Sequence, residues 1–244
     1  MSVRRGQAVR RIAIAAIAVI GLAACSSGGS GSGNGSGNGN GSGDGNGPAH
    51  VGNDGSTNID GGSLQTQIDA LPKATLTADE EAGLIQMREE EKLAHDVYVA
   101  LHDLYSVQAF SNISAAEQTH SDAVKVLLDR YALADPAAGN AAGVFTNPDL
   151  QALYTDLVQQ GSESLVAALT VGAAIEDLDI ADLQSLATTT PDIALVYSNL
   201  ERGSRNHMRA FTMQLTRNGT EYTPTHITQA AYDEIISGSM ERGL

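Results

Sequence analysis

The stretch "AAEQTHSDAV", residues 115–124, places Glu117 and His120 three positions apart in a segment with helical periodicity. Residues three or four positions apart lie on one face of a helix, and the same face carries Val124 and Leu127. A carboxylate and an imidazole within an apolar stripe need partners, because burying an unpaired polar group is costly. The stretch therefore predicts a helix whose buried face contains a polar site.

Helix signals dominate the chain after residue 64, and strand signals are nearly absent. Thr77, with Glu80 three residues later, predicts a capping box, and Thr190 with Pro191 predicts another helix start. The patterns predict long helices over about 78–105, 112–133, 162–186 and 191–217, a short helix opened by "NPDL", and a last one near 225–237. A short link between the first two implies antiparallel neighbours. The predicted fold class is all-α: an antiparallel four-helix bundle with a long crossover between helices two and three and a short C-terminal helix.

Each long helix carries an inward stripe that is apolar or small except at one level, where all four helices are polar. The predicted polar layer contains Glu91, Glu117, His120, Glu176, Asp179 and His207. No lysine or arginine lies on these stripes, so four carboxylates would repel one another and lose hydration without compensation. Two divalent cations would balance them, and the donor set suits iron or manganese, and less specifically zinc. The layer therefore predicts a di-metal site, most simply a di-iron site.

Two alternatives stay open at this point. The acidic stretches "EEEK" and "IEDLDI" would form a solvated face if the helical phase were shifted by one position. A lone histidine on an apolar face is more often a core residue than a ligand. The combination of a Glu, a Glu-x-x-His, a Glu-x-x-Asp and a further His on four separate stripes favours the metal site.

The motifs "EEEKLAHDVY", "FSNISAAEQTH", "VGAAIEDLDI" and "GSRNHMRAF" resemble the ferritin-like superfamily of di-iron carboxylate proteins, with rubrerythrin-like motifs. They are most similar to DUF2202, a bacterial family of uncharacterised ferritin-like domains. The resemblance covers about residues 76–224 and implies a ferritin-like fold with Glu91 as a ligand, followed by the matching Ala94 and Tyr98. It leaves Glu90 at the surface or beside the site.

The fourth helix departs from the superfamily pattern. His207 matches, but Ser204 stands where the superfamily usually has a ligand Glu. Asp179 could complete the ligand set, or Glu201 could lean in. Ligand imidazoles usually donate their other N–H to an acceptor, for which Asp96 is a candidate, and Tyr98 is a candidate donor to a ligand carboxylate.

The N-terminal part predicts export. Residues 1–25 combine four arginines, a short apolar run and "LAAC", which resembles a lipoprotein signal that is cleaved and lipidated at Cys25, the single cysteine. Residues 26–63 are rich in Gly, Ser and Asn and predict a disordered tether, so that residues 64–244 form one domain held on the extracytoplasmic side of the cell membrane. The net charge of −15 argues against nucleic acid as a partner.

These observations favour a membrane-tethered di-iron protein that carries out redox chemistry with iron and O2 or a peroxide. A metal-binding or sensing module without turnover and a purely structural helical bundle are the alternatives. The sequence leaves the oligomeric state, the metal's identity and the reductant open.

Overall fold

The computed structural model describes residues 49–52 and 54–242, and this part of the chain is mostly helical. Its elements are β1 (Ala49–Val51), β2 (Thr57–Ile59), α1 (Gly61–Asp69), α2 (Ala78–Tyr105), α3 (Gln108–Tyr131), α4 (Pro148–Gly161), α5 (Leu165–Ser185), α6 (Pro191–Arg217) and α7 (Gln229–Ser237). The most extensive contacts join α2 to α3 and α5 to α6, and α4 packs on both α2 and α5. No described helix is long and apolar enough to cross a membrane.

The helix ends follow the capping signals in the sequence. Thr77 accepts the N–H of Glu80 at 3.2 Å while the Glu80 carboxylate accepts the N–H of Thr77 at 2.8 Å, which is the predicted capping box. Pro191 opens α6, and Gly219 follows that helix with φ of +71°. The start of α3 differs from its prediction by four residues: the helix begins at Gln108, with Val107 as N-cap and no side-chain capping bond.

Two apolar clusters lie on either side of the predicted polar layer. The Phe211 cluster includes Val97, Tyr98, Leu101, Phe110, Leu169 and Phe211. The Leu127 cluster includes Leu84, Met87, Val124, Leu127, Leu183 and Leu200. Along α2 and α6 the chain runs from the Leu127 cluster to the Phe211 cluster, and along α3 and α5 it runs the other way. The long helices therefore all cross the polar layer near their middles.

An N-terminal hairpin, formed by β1 and β2, packs against the helices. The strands pair antiparallel, with Val51 opposite Thr57, and β2 contacts α3 and α6. The N–H of Ile59 donates to Thr119 on α3 at 2.9 Å, and Asp60 caps α1.

The tether predicted over residues 26–63 therefore extends too far, because β2 and the start of α1 lie within it. Each strand is only three residues long and is flanked by glycines. Such a short segment does not show the hydrophobic alternation by which a strand is recognised in a sequence. The predicted signal segment, its Cys25 and the tether up to residue 48 lie outside the described residues.

Candidate metal centre

Glu117 lies between two imidazoles at the middle of the polar layer. Its Oε2 is 2.9 Å from Nδ1 of His120, and its Oε1 is 2.8 Å from Nδ1 of His207. The two rings stack with centroids 5.4 Å apart, and all three side chains are buried. One ligand atom from each of the three residues lies within 4.8 Å of the others, close enough for the trio to share one cation.

Glu91 has a buried oxygen, Oε1, that makes no hydrogen bond within the described part of the chain. Its other oxygen lies 3.5 Å from Nδ1 of His120. An unsatisfied buried polar group costs about 1–3 kcal/mol. Imidazole nitrogens and carboxylate oxygens both coordinate divalent transition metals, so this oxygen and the imidazole beside it fit a bound cation.

Thr57, in the N-terminal hairpin, contacts both imidazoles through main-chain atoms. Its carbonyl oxygen lies 2.7 Å from Nε2 of His120, and its N–H donates to Nε2 of His207 at 3.3 Å. Because a carbonyl only accepts, Nε2 of His120 carries a proton and the neutral ring leaves Nδ1 bare, which is the form that coordinates metal. In the neutral His207 ring the contact instead leaves the proton on Nδ1. Neutral His120 can therefore coordinate a metal ion through Nδ1 as it stands, whereas neutral His207 would first have to give up the proton on Nδ1.

Glu176 is held in place by Tyr98. The phenol donates to Oε1 of Glu176 at 2.5 Å, and Oε2 of Glu176 lies 3.6 Å from Nδ1 of His207. The Tyr98 ring packs against Phe211 and Phe110 with centroid separations of 5.2 Å and 6.2 Å. The packed aromatic rings thus hold the phenol that donates to Glu176. A donation from Tyr98 to a carboxylate of the layer is what the sequence predicts.

Ser204 is hydrogen-bonded to Asp179. Its hydroxyl donates to Oδ2 of Asp179, and Ser204 itself is buried. Serine thus stands where the superfamily pattern has a carboxylate, but a carboxylate from α5 lies beside it. Glu201, the other residue considered for this position, pairs with Arg205 at 3.0 Å instead.

Burial raises the pKa of the outer carboxyls of the layer, because a charged carboxylate loses hydration there. The pKa of Glu91 rises to about 8 and that of Glu176 to about 7. Burial also raises the pKa of Asp179 well above its usual range, and the charge of Glu91 adds to this effect. Without a cation, the layer therefore retains protons on carboxyls that would otherwise repel one another.

The central trio behaves differently. Burial alone would raise the pKa of Glu117, but the charges of His207 and His120 hold it well below its usual range. Burial lowers the pKa of His207, yet the charges of Glu117 and Glu176 outweigh burial and raise it to about 9. Protons on these imidazoles occupy the place that a cation would take.

A cavity of about 20 Å³ lies next to the trio, which is room for a water-sized particle. Its acidic wall consists of Glu90, Glu91, Glu117, Glu176 and Asp179. Leu150 and Leu153 of α4 and Ile175 of α5 form an apolar wall. The helix within the predicted crossover thus covers the acidic layer with hydrocarbon.

Comparison with known proteins identifies the family. Residues 80–239 match the family described as "Uncharacterized protein domain (DUF2202)". The chain belongs to the DUF2202 family. It is 52% identical over 179 residues to "Uncharacterized protein MJ0754" of Methanocaldococcus jannaschii, which covers 72% of this chain and 97% of the relative. It is also similar to the crystal structure of hypothetical protein MJ0754 from Methanococcus jannaschii DSM 2661, with a TM-score of 0.69 and 53% identity over 70% of this chain and 99% of that chain.

All six predicted ligand residues lie inside the DUF2202 match, whereas Thr57 precedes it. The structure connects five of them in a continuous row of contacts of 3.6 Å or less, in the order Glu91, His120, Glu117, His207 and Glu176. Asp179 joins them at the cavity wall.

The predicted role of Asp96 in this DUF2202 domain is wrong. Its carboxylate pairs with Lys92, lies 2.9 Å from Nδ1 of His95, and accepts the N–H of Gly143 at 2.8 Å. Asp96 follows Glu91 by five residues, which is about 140° around the helix, so it faces the α3–α4 connection and not the ligand imidazoles. The predicted acceptor for an imidazole N–H is replaced by the main chain of Thr57.

Sequence reasoning missed a necessary glycine of the DUF2202 domain and left Glu90 either at the surface or beside the site. Glu90 is 7% exposed and lines the cavity, so it is not a surface residue. At Gly203 an added Cβ would lie 2.4 Å from Cε1 of His120, so only glycine leaves room for that ring. Gly203 comes directly before Ser204 in "GSRNH". A glycine at this place in a predicted helix, next to the predicted site, could have been recognised from the sequence.

Proposed function

We propose that the four long helices form a ferritin-like antiparallel bundle that binds two divalent metal ions, most simply iron. The order in which α2, α3, α5 and α6 pass the two apolar clusters supports this topology, since it requires the connection containing α4 to cross from one end of the helices to the other. The observation that carries the metal proposal is the buried cluster of donor atoms in which the Glu117 carboxylate lies between Nδ1 of His120 and Nδ1 of His207.

The residues of the layer divide into roles. Glu117 would contribute to holding both ions, because its two oxygens face different imidazoles. Glu91 and His120 would hold one ion, and Glu176 and His207 the other. Tyr98 orients Glu176, and Asp179 stands in for the carboxylate that Ser204 lacks.

Bound as ferrous ions, the two metals would supply one electron each to dioxygen or a peroxide. The protein's own part is to position the ligands and to limit water. The apolar wall of Leu150, Leu153 and Ile175 keeps bulk solvent from the acidic side of the cavity. On this proposal the protein is an oxidoreductase of the ferroxidase or peroxidase kind, for which O2 or peroxide is the small-molecule substrate.

A metal-binding or sensing module without turnover is the second candidate. Ser204 favours it, because the fourth helix contributes an imidazole but no carboxylate to the layer. A site with manganese or zinc would serve this function equally well.

Elemental analysis of the purified full chain, before and after anaerobic addition of ferrous ion, tests the metal proposal. We expect about two equivalents of metal per chain, as in di-iron carboxylate bundles. A protein without stoichiometric metal after both treatments would contradict the proposal and favour a structural bundle. Exposure of the ferrous form to air then separates the candidates: an enzyme oxidises its iron and repeats this after re-reduction, whereas a binding module does not.

We also propose that the domain is exported and anchored to the cell membrane by lipid at Cys25. This proposal is supported by the sequence pattern of residues 1–25. Changing Cys25 to Ser removes the sulfur that would carry the lipid, and firm anchoring needs two or more acyl chains. The variant should therefore remain an unprocessed precursor or be released from membranes. Unchanged processing and membrane fractionation of the variant would contradict the lipid anchor.

A further inference from the structure

Glu89 and Glu90 are neighbouring buried glutamates of α2 that differ in their hydrogen bonding. The carboxylate of Glu89 accepts the main-chain N–H groups of Thr146 and Asn147 at 2.5 Å and 3.0 Å, so both its oxygens are satisfied. Glu90 accepts one bond, from Gln86 at 2.8 Å, and its Oε2 has no hydrogen-bond partner within the described residues. The hydrogen bonds to the loop therefore account for the buried carboxylate of Glu89. No comparable set of hydrogen bonds accounts for that of Glu90.

The unsatisfied carboxylate of Glu90 lines the cavity together with Asp179 and the ligand Glu91. Glu90 is 7% exposed, and its oxygen without a hydrogen-bond partner is shielded from bulk water. Asp182, one turn beyond Asp179 on α5, is half-buried and close enough to act electrostatically on Glu90. These carboxyls form a series that runs from the partly exposed Asp182 to Glu90 and on to the predicted metal ligands.

We propose that Glu90 forms, next to the proposed ligand Asp179, a transit site at which a divalent cation binds on its way into the metal centre. The inference rests on the proposed metal-binding function. The site offers carboxylate oxygens and no imidazole, so it suits hydrated divalent ions that exchange readily. The centre beyond it adds His120 and His207 and therefore retains the ion more strongly. A cavity wall of one charge sign also concentrates cations at the entrance.

Loading of the metal-free full chain with Co²⁺, followed by visible absorption in a stopped-flow instrument, tests this proposal. In the wild type the loading rate should saturate with Co²⁺ concentration, because ions fill the transit site first. In Glu90→Gln, which keeps the shape and removes the charge, loading should slow by about tenfold and lose its saturation. The number of ions bound at equilibrium, measured by dialysis, should not change. Asp182→Asn should slow loading in the same direction at the outer end of the series.

Glu81→Gln is the matched control, since Glu81 is an exposed glutamate on the same helix and is absent from the cavity wall. It should load at the wild-type rate. A Glu90→Gln variant that loads at the wild-type rate overturns the transit site. So does a variant that binds fewer ions at equilibrium, because Glu90 would then be a ligand of the centre itself. A wild type that binds no Co²⁺ refutes the proposed function, which is a different result from either of these.

Discussion

The carbonyl oxygen of Thr57 lies 2.7 Å from Nε2 of His120, so a main-chain atom of the N-terminal hairpin determines which nitrogen of that imidazole is free. The hairpin is held there by Asn206, whose amide donates to the Thr57 hydroxyl at 2.9 Å, and by Thr119, which accepts the N–H of Ile59. A perturbation of the hairpin should therefore change metal affinity even though it supplies no ligand.

Gly55→Ala tests this link. Gly55 has φ of +90°, and an added Cβ would lie 2.9 Å from the carbonyl oxygen of Asn206. Gly139→Ala is the matched control, because Gly139 has φ of +76° with open space around it. Both variants should lose about 1–2 kcal/mol to left-handed backbone strain. Only Gly55→Ala should also weaken Mn²⁺ binding, by about 10- to 100-fold, when measured by titration calorimetry. Equal affinity in the two variants would show that the hairpin does not position the imidazoles.

Metal should stabilise the fold. An ion that binds only the folded state at a hundred times its Kd adds about 2.7 kcal/mol to the free energy of unfolding. We expect the Tm to rise with ferrous or manganous ion and to fall back with chelator. Glu117→Ala/His120→Ala should abolish the response, whereas Glu81→Ala/His50→Ala, at exposed positions, should retain it. Identical melting of metal-free and metal-loaded wild type would leave the polar layer as a structural network.

The metal-free protein should lose stability as pH rises from about 5 to 8. The pKa values of Glu91 and Glu176 are raised to about 8 and about 7 in the folded state, above the ordinary value near 4.5. Between these values the folded state binds more protons than the unfolded state, so the free energy of unfolding decreases with pH. Metal displaces these protons, so the stabilisation by metal should grow over the same range. Thermal melts at several pH values, with and without Mn²⁺, measure both trends, and Glu91→Gln should flatten the first.

Tyr98→Phe removes the hydroxyl that donates to Glu176. Leaving a buried carboxylate short of one hydrogen bond should destabilise the protein by about 1.5–3 kcal/mol and lower metal affinity by about 10-fold or more. Tyr105→Phe is the control, since its hydroxyl donates to the carbonyl of Gly161 at 2.9 Å, away from the layer. Chemical denaturation and metal titration of both variants provide the comparison. Loss of stability without loss of affinity would limit the Tyr98 hydroxyl to a structural hydrogen bond.

Ser204→Glu introduces the carboxylate that the proposed ferritin-like site would place at this position. Ser204 is buried and already donates to Asp179, so the larger acidic side chain should crowd the core and lower the metal-free Tm by the equivalent of about 1–3 kcal/mol. The number of tightly bound ions should not rise. Ser204→Ala is the control that removes the hydroxyl without adding charge or volume. A clear gain in affinity for Ser204→Glu would show that Asp179 does not fill the missing position.

The sequence predicted the parts of the molecule that side-chain patterns encode. Helix α2 begins and ends where its capping box and period place it, and α6 likewise runs from Pro191 to Arg217. Inward residues such as Val124 and Leu127 are buried, as predicted.

Parts that depend on main-chain atoms or on helical phase escaped prediction. Thr57 acts on the imidazoles through its N–H and carbonyl, which every residue but proline carries, so its type gives no signal. The inward position of Glu90 could not be separated from that of Glu91, since adjacent helical residues differ by only about 100° in direction. Asp96 was wrongly assigned although its spacing gave the direction, since five residues after Glu91 place it about 140° around the helix.

The position of Thr57 in the chain also bears on how members of this family can diverge. The family match starts at residue 80, so the segment that contacts both imidazoles lies outside the part by which members are recognised. Relatives that share every ligand but differ before that point would surround the same imidazoles with different donors and acceptors. Such partners tune the basicity of a ligating histidine. Divergence in metal preference or reduction potential could therefore arise within this family without any substitution among the ligands.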